Sequence, residues 1–305
     1  MVHGELVRRG LDGRARPGEP LARHTSFRIG GPAELFVVPD GAAELATVLQ
    51  LASAHGVRLT ILGGGSNVLV GDLGVPGVVV KLGRGFAHVE WLDPDGNGGV
   101  SVRAGAAAHL GQLARTSVGR GLAGLEYAEG IPGTVGGALF MNAGAYGGDV
   151  SGVVVAVEGV TAEGETVVLD GSRLAFAYRR TALPAGFVVT AVGFRLRRDE
   201  PMQVRARLEE TRSRRVAAQP HGNANAGSIF KNPVGDYAGR LIEAAGLKGA
   251  QVGRARISER HANFIVNEGG AHAVDVKALM DLAQRAVWEG SGVWLEPEVQ
   301  FVGRW

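Results

Sequence analysis

Cysteine is missing from all 305 residues. That one absence removes disulfides, iron–sulfur clusters, thiolate zinc sites, cysteine nucleophiles and any cysteinyl bond to a cofactor. The 8 histidines fall at no metal-ligand spacing, so no metal is expected. No apolar run approaches the roughly 18 residues that a membrane span requires. The opening stretch MVHGELVRRGLDGRARPGEP lacks the apolar centre of a secretory signal. The expectation is a cytoplasmic chain without membrane insertion. An excess of one charge sign is lacking too: 32 basic and 30 acidic residues leave a net charge of +2. No lysine-rich tail or basic stripe interleaved with aromatics marks a nucleic-acid partner. The densest basic run, Arg205 to Arg215, contains Glu209 and Glu210. It reads as a solvated helix face, with some of its arginines available to a phosphorylated ligand. The motifs GxxxxGK[ST], HExxH and GxSxG do not occur. GRGLAG, at 119–124, matches GxGxxG in form. A helical pattern precedes it where a strand is needed, so it reads as a helix C-cap.

What the chain has in quantity is glycine. Forty-nine glycines and twelve prolines sit among 45% hydrophobic residues, clustered at the ends of apolar runs, which favours a turn-rich globule over a helical bundle. AELFVVP, RLTIL, GVVVKL, FAHVEWL, GVSVRAG and FVVTAVGFRLRR read as strands. VVVAVEGVTA and ETVVLDG read as a hairpin around Glu163-Gly164. AAELATVLQLASAHG, HLGQLARTSVGRGL, PMQVRARLEETRSRRVAA, NPVGDYAGRLIEAAG and AVDVKALMDLAQRAVWEG carry helical periodicity. ANFIVN and VWLEPEVQFVG read as later strands. Strands dominate before residue 200 and helices after it, which places a boundary there between two unlike units. No internal repeat is present.

Three clusters suggest chemistry. In ILGGGSNVLV a strand delivers Gly63, Gly64 and Gly65, then Ser66 and Asn67. Amides freed of side-chain bulk can converge on phosphate oxygens, with hydroxyl and amide side chains as further donors. GIPGTVGGALFMNAGAYGG repeats the logic over a longer loop. Gly130, Gly133, Gly136 and Gly137 let backbone approach a large ligand, Ile131 and Pro132 add a stiff apolar face, and Thr134, Asn142 and Gly144 continue the loop. Two such loops suggest a dinucleotide cofactor gripped mostly by main chain. The third cluster, GSIFKNP, places Ser228, Lys231 and Asn232 within a few residues, after the loop HGNANA, although a serine in such a loop is by default a turn residue. Beyond these, Arg179 lies in FAYRRT at a strand end, where the default reading is a surface charge, and Glu298 is an acid inside the apolar terminal strand, explained either by edge placement or a partner cation or by a functional carboxylate.

Taken in order, TSFRIGGPAE, ILGGGSNVLV, GLEYAEGIPGTVGGALFMNAGAYGG, FAYRRT, NAGSIFKNP, AGRLIEAAGLKG, HANFIVNE and WLEPEVQFVG resemble the UDP-N-acetylenolpyruvoylglucosamine reductase (MurB) family. The resemblance runs from about Leu21 to Gly303. It implies an α+β chain: a vanillyl-alcohol-oxidase-type (PCMH-type) FAD-binding fold in two lobes, followed by a smaller α+β substrate-binding domain. The corresponding division is a flexible segment at 1–20, lobes at 21–83 and 84–200, and a substrate domain at 201–305 whose last strand returns to the active site. It implies non-covalent FAD, NADPH as co-substrate and a UDP-sugar enolpyruvyl ether as substrate, with the cofactor on the two glycine loops. It assigns the proton-donor role to Ser228, the substrate-carboxylate and transition-state roles to Arg179 and Glu298, and substrate contacts to Lys231 and Asn232. The stretches after Arg179 and after GSIFKNP are short, so the chain resembles the shorter subclass without the extra tyrosine-bearing loop. Arg214, Arg215, Arg254, Tyr146 and His261 are its candidates for the uridine diphosphate. A monomer is the expectation. The alternatives are another flavoenzyme of the same fold, such as an oxidase, and a non-catalytic nucleotide-sugar or nucleic-acid binding module.

Overall fold

The computed structural model describes residues 2–94, 99–220 and 222–305. They divide into two compact units: unit 1 holds Met1–Arg16, Leu35–Gly64 and Val78–Arg215, and unit 2 holds Pro17–Glu34, Gly65–Gly77 and Val216–Trp305.

In unit 1, helix α1 spans Val2–Arg8 and α2 spans Ala42–Ala54. The apolar residues of α2 recur at helical spacing, and Leu45, Val48 and Leu49 are buried with Val37, Val78 and Val80 of the adjoining strands. Val78–Val80 run parallel to Leu59–Ile61, a pairing that leads the chain directly into the first glycine loop. Residues 2–15 fold into the same core. Val2, Leu6, Leu11 and Ala15 are buried in the same core as α2, because α1 is itself amphipathic and His55 of α2's C-terminus meets Glu5 at 2.7 Å.

The larger sheet of unit 1 is antiparallel, in the order Thr166–Asp170, Val154–Val160, Val188–Arg198, Gly99–Gly105, Val89–Pro94, with Leu122–Ala123 pairing the end of Val188–Arg198. Period-2 alternation turns Val100, Val102, Ala104, Val157, Val192, Phe194 and Leu196 to one buried side. On strand residues pointing the other way, the Arg103 guanidinium grips both Glu158 oxygens at 2.6 Å. Packed into the buried side are α3, Leu110–Gly119, and α4, Val135–Phe140. Helix α3 ends where GRGLAG begins, as its C-cap reading requires. Helix α5, Pro201–Ala218, buries Val204 and Leu208 with Val118 and Ala123.

Unit 2 carries an antiparallel sheet in the order Ala224–Asn225, Ile265–Asn267, Ala255–Ile257, Gln251–Val252. It also holds α6, Ala238–Ala244, and α7, Ala273–Ser291. Val276, Leu279, Met280, Ala283 and Val287 form the buried stripe of α7, and Gly292 ends it at φ 69°. The Asp72 carboxylate accepts from the amides of Ala273 and Val274 at 2.9 and 3.1 Å, capping α7 from a distant segment. Val68–Val70 and Gln300–Val302 form a parallel pair.

Residues on both sides of position 200 contribute to both units, whose segments interleave along the chain. The physical reason is burial. Phe27, Ile29 and Leu69 sit in one core with Ile229, Phe230 and Leu279, while α5 buries its apolar residues in unit 1. Asp72→Ala removes two hydrogen bonds to the start of α7. The expected outcome is a loss of ~1 kcal/mol, within the usual range for a helix cap, read as a lowered denaturation midpoint with an unchanged slope. An unchanged midpoint would show that α7 does not need this cap.

Candidate functional site

In unit 1 the two glycine loops meet. Leu62 donates its amide to Val80 at 2.8 Å, and the chain then enters Gly63-Gly64. A β-carbon on Gly64 would fall 2.7 Å from the Cα of Gly133, and one on Gly63 would fall 3.1 Å from Thr134 Oγ1. Only residues without β-carbons let these backbones lie so close. Gly136 fits the same account, since its β-carbon would meet the Ala106 methyl at 2.9 Å. Thr134 caps α4, its hydroxyl accepting from Gly137 at 3.4 Å. Among the described residues no acceptor serves the amides of Gly63, Gly64 and Gly133. Donors from two adjoining backbones are the arrangement that phosphate oxygens take. A cavity of about 530 Å³, lined by Gly83, Arg84, Trp91, His109 and Gln112, opens beside His109, and His109 pairs with Thr134 of the loop. The sequence offered no signal for this cavity.

Other expected cofactor residues have work within the fold. Gly65 lies in unit 2 at φ 66°, and a β-carbon there would sit 2.0 Å from the His24 carbonyl. Packing alone already requires a glycine here. Gly144 closes the small hairpin Gly144–Ala145/Gly148–Asp149, where a β-carbon would meet Gly148 O at 2.6 Å. Asn142, buried and at φ 40°, donates to Ala177 O at 3.2 Å and to Asp149 at 3.4 Å, and accepts from Ser151 N at 3.0 Å. Its amide is committed to holding other loops. Gly130, at φ 71°, lies under Arg215, whose Cδ would be 2.6 Å from a β-carbon. Ile131 is tied back by its amide to Ala128 at 3.0 Å, and Pro132 is exposed.

Arg179 also belongs to unit 1. It is the second of two residues joining Ala175–Ala177 to Arg180–Ala182, at φ 58°, a region that costs a non-glycine residue. Its guanidinium lies 4.9 Å from the centre of the Tyr178 ring. Arg214 and Arg215 stand over Tyr146 at 6.0 and 5.8 Å. Burial pushes the Arg215 pKa down, opposed by Tyr146 and Glu129, and the charge of Arg179 adds to the lowering. Glu129, only 6% exposed, pairs with Arg115 at 3.1 Å.

Unit 2 brings together Asn67, Ser228 and Glu298 from three remote segments. Gly227, at φ 74°, donates to Asn225 Oδ1 and turns the chain into Ser228. The next residues run antiparallel to the terminal segment. Glu298 N donates to Ile229 O at 2.8 Å, and Lys231 N donates to Glu296 O at 2.8 Å. Asn67 Nδ2 donates to Glu298 O at 3.1 Å. On the other side Asn263 holds Phe230 by two hydrogen bonds, 2.9 and 2.8 Å, a role that HANFIVN did not betray. Lys231 pairs with Glu296 at 2.8 Å, and Asn232 Oδ1 accepts from Ala238 N at 3.1 Å. Arg254 donates to Gly269 O at 3.2 Å, and His261 is half-buried, its pKa lowered by burial. Among the described residues no group of three or more acidic or histidine side chains could hold a metal ion.

Comparison with known proteins adds to this geometry. A family of FAD binding domains matches residues 33–170, and the C-terminal domain of UDP-N-acetylenolpyruvoylglucosamine reductase matches residues 219–302. A UDP-N-acetylenolpyruvoylglucosamine reductase from Symbiobacterium thermophilum is 47% identical over 292 residues, covering 95% of this chain and 93% of that protein. Another, from Rubrobacter xylanophilus, is 44% identical over 291 residues and 95% of each. The crystal structure of the reductase from Thermus caldophilus superposes with a TM-score of 0.80 at 37% identity, covering 94% of this chain and 98% of that one.

Gly64→Val forces the two loops apart at their point of contact. The expected product is a folded protein, by circular dichroism, that has lost most of its flavin absorbance. A fully yellow variant would put the cofactor phosphates elsewhere.

Proposed function

This chain belongs to the UDP-N-acetylenolpyruvoylglucosamine reductase family, and on that premise we propose how its residues divide the work. The fold is a FAD-binding fold of the vanillyl-alcohol-oxidase type followed by a smaller α+β domain. The reaction is the NADPH-dependent, FAD-mediated reduction of UDP-N-acetylglucosamine enolpyruvate to UDP-N-acetylmuramate, a step of peptidoglycan precursor synthesis.

FAD, when bound and reduced, supplies a hydride to the terminal carbon of the enolpyruvyl group. The amides of Gly63, Gly64 and Gly133, side by side in unit 1, suit its pyrophosphate. An enol ether is electron-rich and resists hydride addition, so the developing negative charge must be drawn into the adjoining carboxylate. Arg179 takes that part through a bidentate guanidinium–carboxylate pair. Ser228 gives a proton to the carbon bearing the ether oxygen. A hydroxyl is a weak acid, but the carbon is then a strong base, which favours the transfer. Glu298 stabilises the charge that develops in the transition state. Lys231 and Asn232 contact the substrate.

The observation that carries this reading is the pairing of the Ser228 and Glu298 segments within unit 2, through the 2.8 Å bond from Glu298 N to Ile229 O. In unit 1, Arg215 and Arg214 over Tyr146 suit the diphosphate of the UDP-sugar, since Arg179 and Arg215 raise a positive field that an anion relieves. The enzyme is proposed to be cytoplasmic and monomeric. No described helix is long and apolar enough to cross a membrane.

Anaerobic mixing of the NADPH-reduced protein with the enolpyruvyl UDP-sugar tests the reading: rapid reoxidation of the flavin is expected. Rapid reaction with oxygen and none with the sugar would identify an oxidase instead. Ser228→Ala is expected to keep FAD and its reduction by NADPH while reoxidation slows by ~10²–10⁴-fold. Reoxidation at the unsubstituted rate would remove Ser228 from the chemistry. Arg215→Ala is expected to raise KM for the UDP-sugar by about 10-fold or more, in line with ~1.5–3 kcal/mol for a hydrogen bond to a charged group, and an unchanged KM would exclude it from the diphosphate.

A further inference from the structure

Reduction of the enolpyruvyl group demands an arginine at a fixed place, and the hairpin that carries Arg179 is short: Phe176 on its first strand, with Leu174 and Leu183 at its ends, packs against the core of unit 1. Its strands, Ala175–Ala177 and Arg180–Ala182, are three residues each, and Ala175, Ala177 and Ala182 are exposed. A two-stranded hairpin of that size does not hold its shape in water unaided. The left-handed backbone at Arg179, φ 58°, adds strain that something else must offset.

Two hydrogen bonds do so, one on each strand. Ala177 O accepts from Asn142 Nδ2 at 3.2 Å, two residues before the arginine. Thr181 Oγ1 donates to Leu139 O at 2.5 Å, two residues after it. Thr181 and Asn142 are buried, 6% and 4% exposed, so solvent offers no substitute for either bond. The partners Leu139 and Asn142 belong to one structural piece: Leu139 is in α4, and Asn142 follows the turn that ends it. Asn142 is itself anchored, its Oδ1 accepting from Ser151 N at 3.0 Å. At its other end α4 begins in the cofactor loop, at the Thr134 cap and the Gly136 contact with Ala106. Its six residues span about 9 Å. Val135, Ala138 and Leu139 are buried beneath it, so it cannot slide without disturbing the core.

We infer that α4 is a strut between the cofactor loop and the hairpin of Arg179, and that Asn142 and Thr181 are positioning residues for that arginine. The inference rests on the reading of Arg179 as the group that binds the substrate carboxylate. A cofactor phosphate held at Gly133 would fix the start of α4 beside the Thr134 cap, and the two latches would pass that position to the guanidinium.

The test uses FAD-loaded full-length protein and three readouts: flavin content, the rate of flavin reduction by NADPH, and the rate of reoxidation by the enolpyruvyl UDP-sugar. Thr181→Val removes the hydroxyl at nearly constant shape. Asn142→Gly removes the amide while keeping a residue that accepts positive φ. Both are expected to retain flavin and its reduction by NADPH, while reoxidation falls by about 10- to 100-fold, the scale set by a misplacement near 1 Å. Thr181→Ser, which restores the donor, is expected to recover most of that loss. In an Arg179→Ala background neither substitution costs more, since no guanidinium remains to misplace. The inference is overturned if Thr181→Val and Asn142→Gly reoxidise normally while Arg179→Ala is slow. It is overturned equally if they slow both half-reactions alike, or if their losses add in the Arg179→Ala background. Normal reoxidation by Arg179→Ala itself removes the catalytic reading, and the inference with it.

Discussion

Backbone can lie on backbone only where β-carbons are missing from the contact, and in unit 1 that condition holds where Gly64 touches Gly133. The contact places amide donors of two loops side by side, sets the start of α4, and through α4 reaches the hairpin of Arg179. A single β-carbon at Gly64 would intrude to 2.7 Å on the facing chain. The loss would not stay local, because the same loop supplies the Thr134 cap on which α4 begins. Glycine abundance in this chain thus has at least two origins. At Gly64 it brings two loops together, whereas at Gly65 and Gly144 it avoids neighbouring carbonyls within the fold.

Much of the fold was legible because it depends on period. Helices α2, α3, α5 and α7 announce themselves by apolar residues at helical spacing, and the Glu163-Gly164 hairpin by alternation around a turn. Helix α4 was not legible. VGGALF contains two glycines in six residues, a poor helix by propensity, and it forms because Val135, Ala138 and Leu139 have a core to enter. The interleaving of segments was hidden for the same reason: burial of Phe27, Ile29 and Leu69 beside residues two hundred positions away is a tertiary fact. At the site, residue type singled out Glu298 as an acid in an apolar strand, while the roles of Ser228 and Arg179 came from the resemblance to the family. Spacing could not reveal that Ser228 and Glu298 lie on paired segments, or that Asn142 is occupied in holding Ala177.

The charges of unit 1 follow a pattern consistent with an anionic substrate. Glu129 is buried and paired with Arg115, which leaves its influence on Arg215 as a partial counterweight. Arg214 is held by Glu210 on its own helix. Arg179 lies close enough to Arg215 for its charge to disfavour that of Arg215. A guanidinium does not give up its proton under such pressure.

The parallel pairing of Val68–Val70 with Gln300–Val302 has a bearing on how the chain is made. Asn67 cannot meet its acceptor on Glu298 until 231 further residues have been added. Early segments of unit 2 therefore emerge from the ribosome long before the strand that completes them, with Phe27 and Leu69 still lacking their eventual neighbours. Contacts of such sequence separation close slowly. During synthesis these early segments are the part of the chain that most needs shelter from aggregation, such as a chaperone provides.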